Sequence, residues 1–533
     1  MIPDDNILGE REQFTPVSSP ASHNSSLQQA LQIAAAFALI KLAIQVAANL
    51  IAQHLGYGYE RDELYYLICG RFLDWGYVDQ PPLVAFQARA VTAMFGNSLV
   101  DVRMLSALAG AVKVLLTGLL AWSLGGRRTA QTLAMIAVLV APEYLGIDGY
   151  LSMNSLEPVL WMGCLLAVIL VAGGHDQRWW LAAGALGGLG LQNKHSTAFF
   201  LAALLAGLVV RPQRRILLSR WFAIATALVI LIALPNLIWE ARHHWATYEL
   251  LNNIARSGKN VVYGPVSFLN HQRQMMHPLT VLLWVPGLVW LLCAPGGRRF
   301  RFVGITYLVF LVVMMLLHSK DYYVAPIYPV LFAAGGVVWE SWNQRRRWLT
   351  YTYAVILLVT GALLAPMSLP ILPPEAFIRY MRAIHIKPSS TQNLEMGPFP
   401  AFTAEMFGWP ELTAEVARVY DALPPAEQSK VGIFCQNYGE ASAINYLGAR
   451  YRLPFAISGH QNYYLWGPHG YTGEVMIVVG KPEAELKEMF SSVEAAGYVN
   501  HPYAMPFEHV TIYLCRGANV PLTSIWPQLK LWL

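Results

Sequence analysis

Apolar runs of roughly 15 to 25 residues recur through the first two thirds of the chain, separated by short polar stretches. They predict spans at about Leu31–Ile51, Arg103–Leu124, Thr129–Leu145, Pro158–Ala172, Trp179–Leu191, Thr197–Val210, Trp221–Ile238, Thr280–Cys293, Val303–Leu317, Val324–Trp339 and Trp348–Pro366. That gives a polytopic helical bundle of about eleven crossings. A further run, Leu83–Gly96, contains Arg89 and is short enough to lie in the interface.

The polar loops between these runs carry a second pattern. Arg127/Arg128, Arg178, Arg211/Arg214/Arg215/Arg220, Arg298/Arg299/Arg301 and Arg345/Arg346/Arg347 fall in alternate loops, whereas Asp62, Glu63, Asp79, Asp148, Glu157, Glu240, Glu249 and Asp321 fall in the others. Short cytoplasmic loops are rich in Lys and Arg, so the acidic loops and the chain beyond Pro366 are expected outside, with the N-terminus inside. Residues Met1 to Ser26 are polar and Pro/Ser-rich, which predicts a disordered cytoplasmic tail over residues 1–29 rather than a cleavable signal peptide.

After Pro366 the pattern changes again. Pro366, Pro370, Pro373 and Pro374 form a breaker-rich linker, and residues 367–533 read as an external α/β domain. VGIFC (Val431–Cys435), VMIVVG and VTIYLC (Val510–Cys515) read as strands, Glu440–Leu447 and PEAELKEMFSSVEAAG as helices. Cys435 and Cys515 close two of these strands, as a disulfide or as two unpaired core cysteines. Cys69, Cys164 and Cys293 have no metal-ligand spacing.

Composition agrees with a membrane protein. Hydrophobic residues make up 55% of the chain and charged residues 13%, against about 25% charged in globular chains. The net charge of +5 follows from basic cytoplasmic loops, and no nucleic-acid motif occurs. The expected organisation is a membrane domain over 30–366, with a catalytic external loop at 55–100, followed by the α/β domain.

Within that loop, Tyr59–Pro82 (YERDELYYLICGRFLDWGYVDQPP) places Arg61, Asp62, Glu63, Asp74 and Asp79 among Tyr, Trp and Phe. Aromatic rings prefer the headgroup region, while clustered carboxylates need water, cations or protein partners. The alternative is that the acids merely solvate a loop. DELYY, GYVDQPPL, DGYLSMNSLEP, GLGLQNKHS, the loop ending HQRQMMHPLT, and SKDYYVAPIYP resemble, in order and spacing from Leu31 to Trp339, the signatures of glycosyltransferase family 39. That group includes relatives of protein O-mannosyltransferases and aminoarabinose transferase. QNYGEASAINYLG and SGHQNYYLWGP resemble the extramembrane C-terminal domain of bacterial members.

The resemblance implies a GT-C fold in the bacterial inner membrane. It also implies transfer of a sugar from a polyprenyl monophosphate to a protein, lipid or glycan acceptor on the external face. Such chemistry needs a carboxylate to deprotonate the acceptor hydroxyl and positive charge to stabilise the departing phosphate. Asp62 matches the first acid of the family's Asp-Glu pair and is the candidate general base. Glu63 would point elsewhere and hold a cation or an arginine. Glu157 is a third candidate, either assisting the base or sitting as a helix-N-terminal carboxylate favoured by the dipole.

Asp79 would position the lipid phosphate, and Gln80 stands where aminoarabinose-type members carry Lys, removing one phosphate-binding charge. Lys194 and Lys320 are expected to bind phosphate, with snorkelling to the interface as the alternative. Tyr322 and Tyr323 would add hydroxyl donors, while Lys41 and Lys113 sit mid-span and are assigned to buried structural pairs. The long stretch Trp239–Pro278 reads as a pliable lid whose Arg256, Lys259 and Arg273 would reach the donor. A divalent cation, if used, would draw on His271, His277 and Asp79, although the spacing matches no dedicated metal motif. The competing class is a lipid or solute transporter, which would be expected to show internal repeats that this sequence lacks.

Overall fold

The computed structural model describes residues 20–210, 212–343 and 345–533. Of the tail expected over residues 1–29, residues 1–19 lie outside the described residues and residues 20–29 are the first turns of a helix, Pro20–His54. Each of the eleven apolar runs is helical, but not each is a full span. Among the described residues seven helices are long and apolar enough to cross a membrane, or eight if the bent pair at Pro265–Cys293 counts as one crossing.

In chain order the helices are α1 (Pro20–His54), α2 (Arg61–Cys69), α3 (Leu83–Met94), α4 (Leu99–Ser123), α5 (Arg128–Val140), α6 (Pro142–Ile147), α7 (Met153–Ala172) and α8 (Trp179–Asn193). There follow α9 (Ser196–Val209), α10 (Arg220–Arg242), α11 (Ala246–Ser257), α12 (Pro265–Met275), α13 (Val281–Cys293), α14 (Arg301–Leu316), α15 (Tyr328–Trp342) and α16 (Arg347–Leu364). At 1.5 Å per residue the 13 residues of α5 reach about 20 Å, short of a bilayer core of roughly 30 Å. This helix instead fills the interior, packed on α1, α4, α15 and α16 and buried along most of its length.

Small residues set the closest helix contacts. A methyl group at Gly335 on α15 would collide with the Leu283 carbonyl of α13, and one at Gly287 with the Leu331 carbonyl. In lipid, association depends on such close backbone approach rather than on burial of apolar area.

Lys41 on α1 and Lys113 on α4 form the buried structural pairs expected of them, and both use one acid. Lys41 Nζ lies 3.0 Å from Asp148 Oδ2 and Lys113 Nζ 2.6 Å from Oδ1, all three side chains fully buried. Lys41 also donates to the Tyr144 carbonyl at 2.9 Å. Gly110 on α4 lets the Asp148 carboxylate approach, since a Cβ there would lie 2.6 Å from its Oδ2.

Two expectations are corrected. The stretch Trp239–Pro278 is not a pliable loop but largely helix, α10 running to Arg242 and followed by α11 and α12. Leu250 of α11 is buried beside Trp239 and Trp532, so the helix is fixed by its apolar face. The second correction concerns PEAELKEMFSSVEAAG, where only Glu483–Met489 is helical and Phe490–Val499 is a strand. Ladder bonds to Val510–Ala518 override the helix preference of its Glu and Ala residues.

The sheet has the order β2-β1-β3-β5-β4, with β1 Gly432–Cys435, β2 Ala456–Ser458, β3 Val475–Val479, β4 Phe490–Val499 and β5 Val510–Ala518. β1 pairs in parallel with β2 and β3, while β5 runs antiparallel to β3 and β4. Cys435 and Cys515 are buried free thiols on β1 and β5, with β3 between them. The sheet region and the first polar loop share one apolar cluster, in which Leu64, Tyr65 and Ile68 of α2 pack with Ile433, Ile444 and Tyr463.

Candidate functional site

The site begins at the N-terminus of α2. Glu60 caps it, accepting from the amides of Asp62 at 2.8 Å and Glu63 at 3.3 Å, while Glu63 Oε2 accepts from the Glu60 amide at 2.9 Å. This reciprocal box fixes the first turn, and successive residues on a helix point in different directions. Asp62 and Glu63 therefore meet different surroundings.

Glu63 is fully buried and accepts from Arg103 Nε at 3.0 Å, from Arg103 Nη2 at 2.7 Å and from the Leu151 amide at 2.8 Å. Its oxygens are all engaged, so its role is to tie α2 to α4 and to the start of α7. Asp62 has a side chain 38% exposed, accepts from the Tyr438 hydroxyl at 2.6 Å, and has Arg61 Nε 3.7 Å away. Of the acidic pair, only Asp62 is open to a substrate.

The surrounding cluster comes from both halves of the chain. Arg61 bridges to Glu405 at 3.0 Å and lies over the Tyr438 ring, 5.4 Å from its centroid. Burial raises the Glu405 carboxyl, with Arg61 opposing the rise, and burial followed by the charge of Asp62 raises Glu60. Lys259, just past α11, feels Arg61, Lys320, Asp62 and Glu405, and burial above all lowers its ammonium to about 8. Asp79 accepts from the Tyr65 hydroxyl at 2.9 Å, and burial pushes its carboxyl up to about 7 against that bond.

A second group of side chains extends the cluster. Lys194 donates to Asn154 Oδ1 at 2.8 Å and to Glu157 Oε2 at 3.2 Å, and its ammonium sits over Tyr323 at 4.1 Å and Tyr322 at 5.0 Å. Glu157 also accepts from the Ser196 hydroxyl and is 2% exposed, which makes it the partner of Lys194 rather than a free base. Lys320 lies 5.9 Å from the Tyr322 ring centroid. Asp321 accepts from His271 Nδ1 at 2.9 Å.

Several candidates do not join. Gln80 is 1% exposed, its amide turned to Cys69 Sγ and its backbone paired with Tyr77, so the Tyr77–Pro82 turn faces it inward rather than towards a phosphate. Arg256 is exposed on α11, and Arg273 is held by Asn270 of its own helix. His277 sits at the sharp bend between α12 and α13, with its Nδ1 accepting from the Leu279 amide. Among the described residues no three His, Cys, Asp or Glu side chains gather to hold a metal, so His271, His277 and Asp79 do not form one set.

Other members were missed from the sequence. Tyr438 and Glu405 reach Arg61 only through contacts more than three hundred residues long in sequence, for which no local signal exists. Glu143, at the start of α6, lies within electrostatic reach of Asp321 and Lys194. Its only sequence signal is a lone acid in an apolar run.

With this geometry established, the chain can be set beside known proteins. A family model described as dolichyl-phosphate-mannose-protein mannosyltransferase matches residues 79–239. The lipid A galacturonosyltransferase RgtD of Rhizobium johnstonii is 26% identical over 204 residues, which are 36% of this chain and 41% of that protein. The match thus spans well under half of that relative.

The crystal structure of ArnT from Cupriavidus metallidurans bound to undecaprenyl phosphate superposes with a TM-score of 0.60 at 14% identity, covering 90% of this chain and 97% of that one. Its apo state gives 0.58 over 93% and 98%. The arabinofuranosyltransferase AftD from Mycobacteria gives 0.51 at 15% identity, over 90% of this chain and 40% of that one. The chain is an integral membrane protein with the GT-C fold of these glycosyltransferases, and over residues 79–239 it resembles the dolichyl-phosphate-mannose-protein mannosyltransferases.

Proposed function

We propose that the protein is a glycosyltransferase of the bacterial inner membrane that moves a sugar from a polyprenyl-phosphate donor to an acceptor hydroxyl on the external face. The N-terminus then lies in the cytoplasm and residues 367–533 outside. The observation that carries this reading is one open carboxylate, Asp62, beside Arg61 and within electrostatic reach of Lys259, at one end of an apolar bundle. The undecaprenyl phosphate bound by the ArnT structure supports a prenyl-linked donor.

In this mechanism the acceptor oxygen attacks the anomeric carbon as Asp62 takes its proton. The bond from that carbon to the phosphate oxygen breaks, and prenyl phosphate leaves with the electron pair, inverting the anomeric centre. Lys259 and Lys320 balance the charge that develops on the phosphate. Lys194 backs them from its place between Glu157 and the Tyr322 and Tyr323 rings.

Single-turnover release of prenyl phosphate in nanodiscs tests the assignment. Asp62→Asn should bind donor normally and lose about a hundred- to ten-thousandfold in rate, the usual cost of removing a general base. A wild-type rate in Asp62→Asn together with a dead Glu157→Gln would move the base to Glu157.

A further inference from the structure

At the other end of the bundle from Asp62, the α4–α5, α13–α14 and α15–α16 connections meet around a cavity of about 1230 Å³. α4 begins beside the site at Leu99 and ends at this cavity, and its 25 residues separate the two by about 37 Å. The cavity is therefore independent of the transfer site. Among the described residues it is lined by Arg127, Arg128, Arg299, Arg345 and Arg347, against a single carboxylate, Glu340.

That carboxylate is already engaged. Glu340 accepts from the Arg127 amide at 2.7 Å and the Thr129 amide at 3.2 Å, capping the start of α5 with both oxygens. Among the described residues Arg127, Arg128, Arg345 and Arg347 have no carboxylate within ion-pair distance. These four guanidinium groups, with no ion-pair partner among the described residues, raise a strong positive potential at the cavity, and their planar forks match phosphate oxygens.

The rim indicates the kind of molecule that carries the phosphate. Trp342, Trp348 and Tyr351 at this end are 63–67% exposed, and Tyr351 also lines the cavity. Exposed Trp and Tyr at the end of an apolar bundle mark headgroup depth, where an acyl-chain anion is concentrated and a soluble one is not.

We propose that this cavity binds the phosphate headgroup of an anionic phospholipid from the leaflet opposite the transfer site. The test uses the full chain in detergent micelles, titrated with phosphatidylglycerol, phosphatidylcholine or inorganic pyrophosphate and read by native mass spectrometry and thermal shift. Wild type should retain phosphatidylglycerol at least tenfold more tightly than phosphatidylcholine, with the preference fading as salt is raised.

Arg127→Gln with Arg345→Gln should remove the preference, while Arg127→Lys with Arg345→Lys keeps most of it. Arg214→Gln with Arg215→Gln, in a different basic loop, should leave it unchanged. If the double Gln variant does not fold, each single substitution should weaken the preference severalfold. Equal losses in the cavity and control variants would overturn the proposal in favour of diffuse surface charge. Binding of pyrophosphate without a lipid preference would overturn the lipid assignment.

Discussion

The hydroxyl of Tyr438 donates to Asp62 Oδ1 at 2.6 Å across 376 residues of sequence. The C-terminal region thereby contributes to the candidate site rather than hanging from it. Tyr438→Phe keeps the ring against Tyr65 and Arg61 and removes only the donor. A hydrogen bond to a charged group contributes about 1.5–3 kcal/mol, so transfer should slow roughly ten- to a hundredfold. Donor affinity should hold, which a kcat-against-KM comparison will show.

Glu63→Gln and Asp62→Asn, one residue apart, should fail in different ways. The first leaves Arg103 buried with its charge partner gone, and breaking a buried pair typically costs about 3–5 kcal/mol. Thermal melting in detergent should fall by several degrees and folded yield with it. Asp62→Asn should melt within a degree or two of wild type, and a matching loss in both would remove the distinction drawn between the two acids.

On the proposed mechanism Lys259 should set a pH limit on donor binding. Its ammonium, lowered to about 8 by burial and then by Arg61 and Lys320, is charged below that value and neutral above it. Affinity for the donor should therefore fall as pH rises through about 8. In Lys259→Arg, whose guanidinium stays charged, the fall should vanish from a titration between pH 7 and 9.5, while in Lys259→Met affinity should be low and flat throughout.

His460 gives stability the opposite slope. Burial, and then the charge of Lys259, lowers its folded value to about 3 from the ordinary 6.5, so the unfolded chain binds the proton more readily. The contribution of the neutral ring is complete above about 6.5 and is lost as pH falls from 6.5 towards 3. Melting temperature followed from pH 7.5 to 4 should drop less steeply in His460→Gln than in wild type.

The helices were legible because lipid demands long apolar runs whatever the tertiary contacts. The pairing of Lys41 and Lys113 was legible for the same reason, since a mid-span charge must find a partner. The strand Phe490–Val499 was not, because its Glu and Ala residues prefer helix and only the ladder to Val510–Ala518 makes it extended. Asp62 could be singled out from DELYY, but its freedom depends on Glu63 meeting Arg103 and on Glu60 capping the turn. Gln80 was placed near the donor by its match to a lysine position of aminoarabinose-type members, whereas the inward turn at Tyr77 decides where it points.

The shared acid between Lys41 and Lys113 also couples the assembly of two helices. Asp148 lies 35 residues beyond Lys113 and further still beyond Lys41, so neither lysine finds its counter-ion within its own helix. A lone lysine at a helix centre costs about 2.5–3.5 kcal/mol on insertion scales. Docking of the α6–α7 junction removes that cost from α1 and α4 at once, so the three pack as one unit.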